Sequence, residues 1–181
     1  AGDMVFNKRA MSETFFMSNI SPQLPGFNRG IWKILEQQVR NWAVMYDTLH
    51  VVTGPILNDN LNSIGNDVSI PEYFYKVILD YNIPFYKGIA FLLPNESSSN
   101  DIKHYAVTID SVEKLTGLDF FHKLDDTIEE SIESNINLDK WSWIKGDIYF
   151  PNPQCIGLLP NGKVCNNKSI LDTKYCSEHL G

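Results

Sequence analysis

Between Gly30 and about Tyr46, apolar residues return at intervals of three and four: Ile31, Leu35, Val39 and Trp42. That spacing lines one face of a 3.6-residue helix, so the segment must lie against a core. The preceding loop, Ser21-Pro22-Gln23-Leu24-Pro25-Gly26-Phe27-Asn28, is dense in turn residues and ends in a side chain suited to capping a helix. An asparagine carboxamide can accept a hydrogen bond from an otherwise unpaired amide of the first turn. Beyond the helix the pattern changes. Residues 49–53 read as a strand stopped by Gly54-Pro55, and a polar loop over 58–69 leads to a β-rich run at 73–79. Residues 88–93 form a third strand closed by Pro94, and 105–109 a fourth. A short helix at 111–115 would end at Gly117. One helix, several strands and then helices predict an α+β fold instead of alternating βαβ units.

Composition narrows the class further. A chain of 181 residues, 43% hydrophobic and 12% aromatic, can bury enough apolar surface to offset its ordering entropy, which excludes a disordered chain. No apolar run approaches the roughly 20 residues needed to cross a bilayer, and no basic-then-apolar stretch opens the sequence as a signal peptide would. The net charge of −7 argues against a protein whose whole surface binds nucleic acid or anionic membrane. The charge is uneven, however. Residues 1–50 carry a net +1, 51–109 a net −3, 110–140 a net −6 and 141–181 a net +1. The acidic run at Asp125-Asp126 and Glu129-Glu130-Ser131-Ile132-Glu133 is expected to be a solvated helix face. A basic or neutral groove remains open to the N-terminal third.

Pro151-Asn152-Pro153 breaks the chain, and the last 27 residues hold all three cysteines. The expected organisation is one domain over 1–150 and a small module over 151–181. Cys155, Cys165, Cys176 and His179 are separated by nine, ten and two residues. A Cys-x-x-His pair and two further thiolates complete a tetrahedral set that suits Zn²⁺, which accepts soft sulfur and borderline nitrogen. A segment this short has too small a core to fold unaided, so the metal would be structural. One disulfide with a remaining thiol is the alternative; the odd cysteine count and the Cys-x-x-His end disfavour it. The module resembles short zinc modules appended to other bacterial domains.

In the first third, Glu36 and Arg40 lie one helical turn apart, and Asn28 stands at the helix start. A carboxamide, a carboxylate and a guanidinium thus run along about 18 Å of helix. From spacing alone this is equally a capped helix with a solvated ion pair contributing a few tenths of a kcal/mol.

Several segments resemble, in order, the DNA/RNA non-specific endonucleases, the ββα-metal nuclease family. They are Ser18-Asn19-Ile20-Ser21-Pro22-Gln23, Asn28-Arg29-Gly30-Ile31-Trp32, Leu35-Glu36 and Val52-Thr53-Gly54-Pro55. Phe74-Tyr75-Lys76-Val77-Ile78 and Val112-Glu113-Lys114-Leu115-Thr116-Gly117-Leu118 continue the likeness, which covers most of residues 1–135. The resemblance implies a mixed or antiparallel sheet with packed helices. It implies a catalytic Mg²⁺ (Mn²⁺ or Ca²⁺ standing in) held by Asn28 and water, since Mg²⁺ prefers oxygen and keeps most of its hydration shell. It also implies Glu36 as the group orienting water, Arg40 as a guanidinium near the phosphate, and Asn19 as a supporting polar residue. The family's general base is a His in an Asp-Arg-Gly-His motif, expected a few residues upstream of Ala1-Gly2-Asp3-Met4. His50, His104, His122 and His179 stand in no such motif. The chain is therefore expected to be a C-terminal portion of such a nuclease, with that segment as a partner, DNA and RNA as substrates, no membrane, and a homo-oligomer allowed. Location is left open: members of the family are often secreted, periplasmic or mitochondrial, a reduced zinc-thiolate cluster is also compatible with the cytosol, and the resemblance favours a secreted or periplasmic location. The rival expectation is a nuclease-like module that binds nucleic acid or protein without catalysis; a further one makes the zinc tail an adaptor for a partner.

Overall fold

A computed structural model describes residues 7–16, 19–46, 48–82, 85–145, 159, 160, 163 and 165. The chain divides into two compact units, Ala1–Ile20 with Ile148–Gly181, and Ser21–Asp147. In the first, helix α1 (Lys8–Glu13) buries no residue and is held by local polar contacts. Asn7 Oδ1 accepts from the amides of Arg9 and Ala10 at 2.9 and 3.1 Å, satisfying donors that a helix start leaves unpaired.

The second unit is built on a four-stranded antiparallel sheet of order β1-β4-β5-β6, from β1 (His50–Pro55), β4 (Tyr73–Asn82), β5 (Phe85–Pro94) and β6 (Ala106–Val107). Strand β4 is central and buried through most of its length. Alternate side chains along a strand point to opposite faces, and here both faces are covered. On one, Phe74, Ile78, Ile89, Phe91 and Leu93 pack with Phe27, Ile31, Trp32, Leu35 and Trp42 from the segment before β1. On the other, Tyr75, Val77 and Ala90 pack with Ile109, Val112 and Phe120. The first face belongs to helix α3 (Lys33–Met45), the second to α4 (Ile109–Thr116), with α5 (Asp126–Glu133) against β5.

Most expected elements are present, with different bounds. The predicted stripe is inside: Leu35 and Trp42 are fully buried and Val39 packs at the edge of the same cluster. Helix α4 ends at Gly117, whose φ of 68° a side chain would resist. Gly54-Pro55 do not stop β1 but continue it, pairing with Tyr75 and Phe74. Proline is tolerated there because β1 is an edge strand. The expected fourth strand shrinks to β6, since Ile102–Tyr105 forms a 3₁₀ turn and Ile109 already opens α4. The polar loop contains a small hairpin, β2 (Ser63–Ile64) and β3 (Val68–Ser69), turned by Gly65 and Asp67 at positive φ. The acidic run does form a helix and is solvated at Asp125, Asp126 and Glu130, but its other side turns inward: Glu133 is 6% exposed and Glu129 half-buried. Charge pattern alone missed that Ile132 is drawn into the sheet and carries its neighbour inward. Among the described residues no helix is long and apolar enough to cross a membrane.

Candidate active site

Pro25 opens a one-turn helix, α2 (Pro25–Phe27), and the chain widens into a π-type turn over Asn28–Trp32 before α3 begins. Gly30 breaks the run with φ −101° and ψ −116°. Asn28 itself has helical dihedrals (−57°, −47°), so its carboxamide does not cap the helix as expected. A cap needs extended backbone at that residue. Instead Asn28 Nδ2 donates to Gln23 Oε1, and the side chain is exposed. The amide nitrogen is thereby turned to Gln23, and the carboxamide oxygen occupies the other arm.

This exposed asparagine sits between buried anchors. Phe27, before it, is fully buried and stacks on Phe74 at 5.5 Å between centroids; Trp32, after it, packs on Phe27 at 5.3 Å and edge-on to Phe74 at 5.8 Å. Lys76 lies over the Trp32 ring at 4.7 Å and donates to Thr53 Oγ1 at 2.6 Å, so a buried cation on β4 is satisfied from β1 and from the turn. The loop behind is tied by Asn95, just past β5. Its Oδ1 accepts from the amide of Leu24 at 2.9 Å, and its Nδ2 donates to Pro22 O at 3.2 Å and Pro71 O at 2.9 Å. A side chain at Gly26 would collide with Ser97. These contacts hold the loop rigid against the sheet.

Glu36 and Arg40 are one turn apart on α3, Glu36 half-buried and Arg40 exposed. Asn28, Glu36 and Arg40 thus share one continuous loop–helix element. Asn19 belongs to the other compact unit, where its Nδ2 donates to Glu13 O at 3.2 Å. His50, His104 and His122 are exposed, on β1, in the 3₁₀ turn and in the turn before α5. Cys155, Cys176 and His179 lie outside the described residues. Cys165 is buried against Leu159, whose amide donates to Lys163 O at 2.8 Å.

A groove of about 770 Å³ runs along α3, lined by Arg29, Lys33, Gln37, Lys103, Trp143 and Lys145, with Asp101 as its carboxylate. Sequence reading left this groove unassigned, because its cations come from three distant segments. Lys103 lies over the Trp143 ring at 4.8 Å. Glu36 and Arg40 do not line it. At 100° per residue they project from the other flank of α3, which makes the groove a neighbour of the expected site and not the site itself.

On the opposite face of the sheet, one carboxylate oxygen each of Asp110, Glu113 and Glu133 lie within 4.8 Å of one another. Burial, then the charges of Glu113, Glu129, Asp110 and Asp119, push the Glu133 carboxyl up to about 8. Burial, with Asp119, Asp126 and Glu113, raises that of Glu129 as well.

The fold so described defines an α+β domain in which an antiparallel sheet carries helices on both faces. The chain belongs to the DNA/RNA non-specific endonuclease family, whose sequence model matches residues 1–127. It is 37% identical over 142 residues to nuclease C1 of Cunninghamella echinulata, covering 69% of this chain and 55% of that protein. It is 33% identical over 159 residues to the mitochondrial nuclease of Saccharomyces cerevisiae, covering 76% of this chain and 48% of the relative. Among solved structures, an EndoG/EndoGI complex described as showing the mechanism of EndoG inhibition superposes with a TM-score of 0.58 at 34% identity, over 63% of this chain and 53% of that one. The chain spans about half the length of the curated relatives it matches. These relatives correct the expected secreted or periplasmic location: the yeast protein is named a mitochondrial nuclease, and others it matches carry the same word. Family habit was too broad a guide because location is set by targeting segments, which the domain's chemistry does not encode.

Proposed function

We propose that this chain is the C-terminal part of a Mg²⁺-dependent nuclease that hydrolyses phosphodiester bonds of DNA and RNA, working in mitochondria, the location that the names of several relatives carry. The observation that carries the reading is Asn28, exposed on a turn whose two flanks are clamped into the core by Phe27 and Trp32. An exposed carboxamide oxygen on a rigid turn fits a hard cation that keeps most of its own water. Such an ion, when bound, would stabilise charge on the scissile phosphate and the departing 3′-oxygen.

In this reading, Asn28 Oδ1 is the protein ligand and Gln23 fixes the carboxamide. Glu36 accepts hydrogen bonds from the surrounding water and orients it. Arg40 meets phosphoryl oxygens with its planar fork. The family resemblance gives Asn19 a supporting role. The general base is a histidine of an Asp-Arg-Gly-His motif in a segment upstream, because His50, His104 and His122 stand in no such motif. Water attacks phosphorus, its proton passes to that base, and the P–O3′ bond breaks as the 3′-oxygen takes a proton from a second water, leaving a 5′-phosphate and a 3′-hydroxyl. Contacts to phosphate and not to base edges give low sequence specificity.

Domain 1–150 carries this chemistry, and residues 151–181 form a Zn²⁺ module held by Cys155, Cys165, Cys176 and His179. The buried Cys165 agrees with a metal ligand in a small core. The test is digestion of plasmid and RNA with Mg²⁺, by this chain with and without the upstream segment. Activity that needs Mg²⁺ and falls in Asn28→Ala supports the reading. Binding of nucleic acid without cleavage in every form would replace it with the non-catalytic module.

A further inference from the structure

Gly88 on β5 is the close-approach point for α5. A Cβ there would stand 3.0 Å from the carbonyl oxygen of Ile132 and 2.7 Å from Ile109 Cδ1. Only a glycine lets α5 settle this near the sheet, and the approach carries Glu133 inward beside α4. Asp110 and Glu113 stand three residues apart on α4, the spacing that places side chains on one helix face. One carboxylate oxygen from each of Asp110, Glu113 and Glu133 falls within 4.8 Å of the others.

Three carboxyl groups so close cannot all be ionised unless something positive lies between them, and without it Glu133 holds a proton. Glu133 is 6% exposed, and its Oε1 is sealed from solvent with no hydrogen-bond partner. The groups acting on it, Glu113, Glu129, Asp110 and Asp119, are all acidic. A buried acceptor without a donor is unfavourable, so a ligand that met this oxygen would relieve a cost the fold otherwise carries. Glu113 is aimed by the amide of Phe120, which donates to its Oε1 at 2.7 Å. Asp110 and Glu113 are half-buried, leaving the trio open to solvent on their side.

We propose that Asp110, Glu113 and Glu133 form a binding site for a hard divalent cation of the calcium class, which pins α5 to α4. All donors are carboxylate oxygens, which select Ca²⁺ or Mg²⁺ over metals preferring nitrogen or sulfur. Bonds of about 2.4 Å to Ca²⁺ let opposite ligands stand about 4.8 Å apart, whereas the ~2.1 Å bonds of Mg²⁺ allow only about 4.2 Å. Atoms within 4.8 Å of one another can be spanned by either ion, but a site of three carboxylates suits Ca²⁺, which takes several of them directly, better than Mg²⁺, which keeps most of its water. The site lies across the sheet from Asn28, on the face of Tyr75, Val77 and Ala90. It does not depend on the nuclease reading.

The test is calorimetric titration of the full chain with Ca²⁺, after EDTA treatment and return of one equivalent of Zn²⁺, in an Asn28→Ala background that removes the proposed Mg²⁺ ligand. The expected result is one saturable Ca²⁺ site. At a hundredfold excess of Ca²⁺ over Kd the melting temperature should rise by roughly 5–10 °C. Glu133→Gln keeps the shape and removes one charge; it should bind Ca²⁺ at least tenfold more weakly and lose the thermal shift, while melting no lower than its parent in EDTA. Asp110→Asn, at a half-exposed position, should weaken binding in the same direction and guards against a fold effect at Glu133. A parent protein that shows no saturable Ca²⁺ binding below about 1 mM overturns the proposal. So do Glu133→Gln and Asp110→Asn if both bind Ca²⁺ as the parent does.

Discussion

Replacing Asn95 with alanine should loosen the loop that presents Asn28 without touching Asn28 itself. The carboxamide makes three hydrogen bonds: Oδ1 takes the Leu24 amide, and Nδ2 serves the carbonyls of Pro22 and Pro71. Asn95 is buried, and so is its bond to Pro71 O; the other two bonds are partly buried. Truncation leaves one buried carbonyl, one partly buried amide and one partly buried carbonyl without partners. At roughly 1–3 kcal/mol for each fully buried group and less for the others, the loss should be about 3 kcal/mol. For a domain of this size that lowers the melting temperature by about 6–12 °C. Calorimetry or urea melts measure the stability, and the Mg²⁺ dependence of phosphodiester cleavage at a temperature where the variant stays folded measures the loop. The midpoint for Mg²⁺ should rise several-fold, because the ligand is no longer held still before the ion binds. A loss below 1 kcal/mol, or an unchanged Mg²⁺ midpoint, would refute the claim that Asn95 positions the site.

Three further perturbations follow from buried contacts. Lys87→Ala should cost about 3–5 kcal/mol in urea unfolding, because Lys87 pairs with the buried Asp80 at 3.3 Å and covers the Tyr46 ring at 3.4 Å; a cost under 1 kcal/mol would mean that Asp80 is satisfied elsewhere. In EDTA, stability should fall as pH rises from about 4.5 to about 8, since folded Glu133 keeps a proton that the unfolded chain releases near 4.5. The contribution is complete below that lower value and lost above the upper one, amounting to about 5 kcal/mol at most; urea midpoints across this window should slope downward in the parent and less steeply in Glu133→Gln. Gly88→Ala should destabilise by about 1–3 kcal/mol through its clash with the Ile132 carbonyl, and an unchanged melt would show that α5 moves off freely.

The core was more legible in the sequence than the site. The period of Ile31, Leu35, Val39 and Trp42 marks a buried helix face because packing, repeated every turn, leaves a pattern that single residues cannot hide. The α+β class followed from the order of periods. Strand ends were less visible, since Pro55 stops a central strand yet is harmless at an edge, and only pairing shows which strand is the edge. Asn28 was picked out by resemblance and wrongly given a capping role, because capping depends on backbone dihedrals that residue type does not fix. The acidic trio was hidden by the charge rule. A run of carboxylates is solvated on most helices, and the exception here depends on Gly88, some 45 residues away in sequence, which no local pattern connects to Glu133.

The central claim is that Asn28 holds the ion on which phosphodiester cleavage depends, and one measurement tests it directly. Cleavage rates of supercoiled plasmid should be compared between the parent and Asn28→Ala, each joined to the upstream segment, across Mg²⁺ concentrations. The account predicts a rate about 10²–10³-fold lower in the variant, the scale of removing one group that stabilises transition-state charge, with both proteins silent in EDTA and alike in their melts. An Asn28→Ala protein that cleaves within twofold of its parent at limiting Mg²⁺ would contradict it.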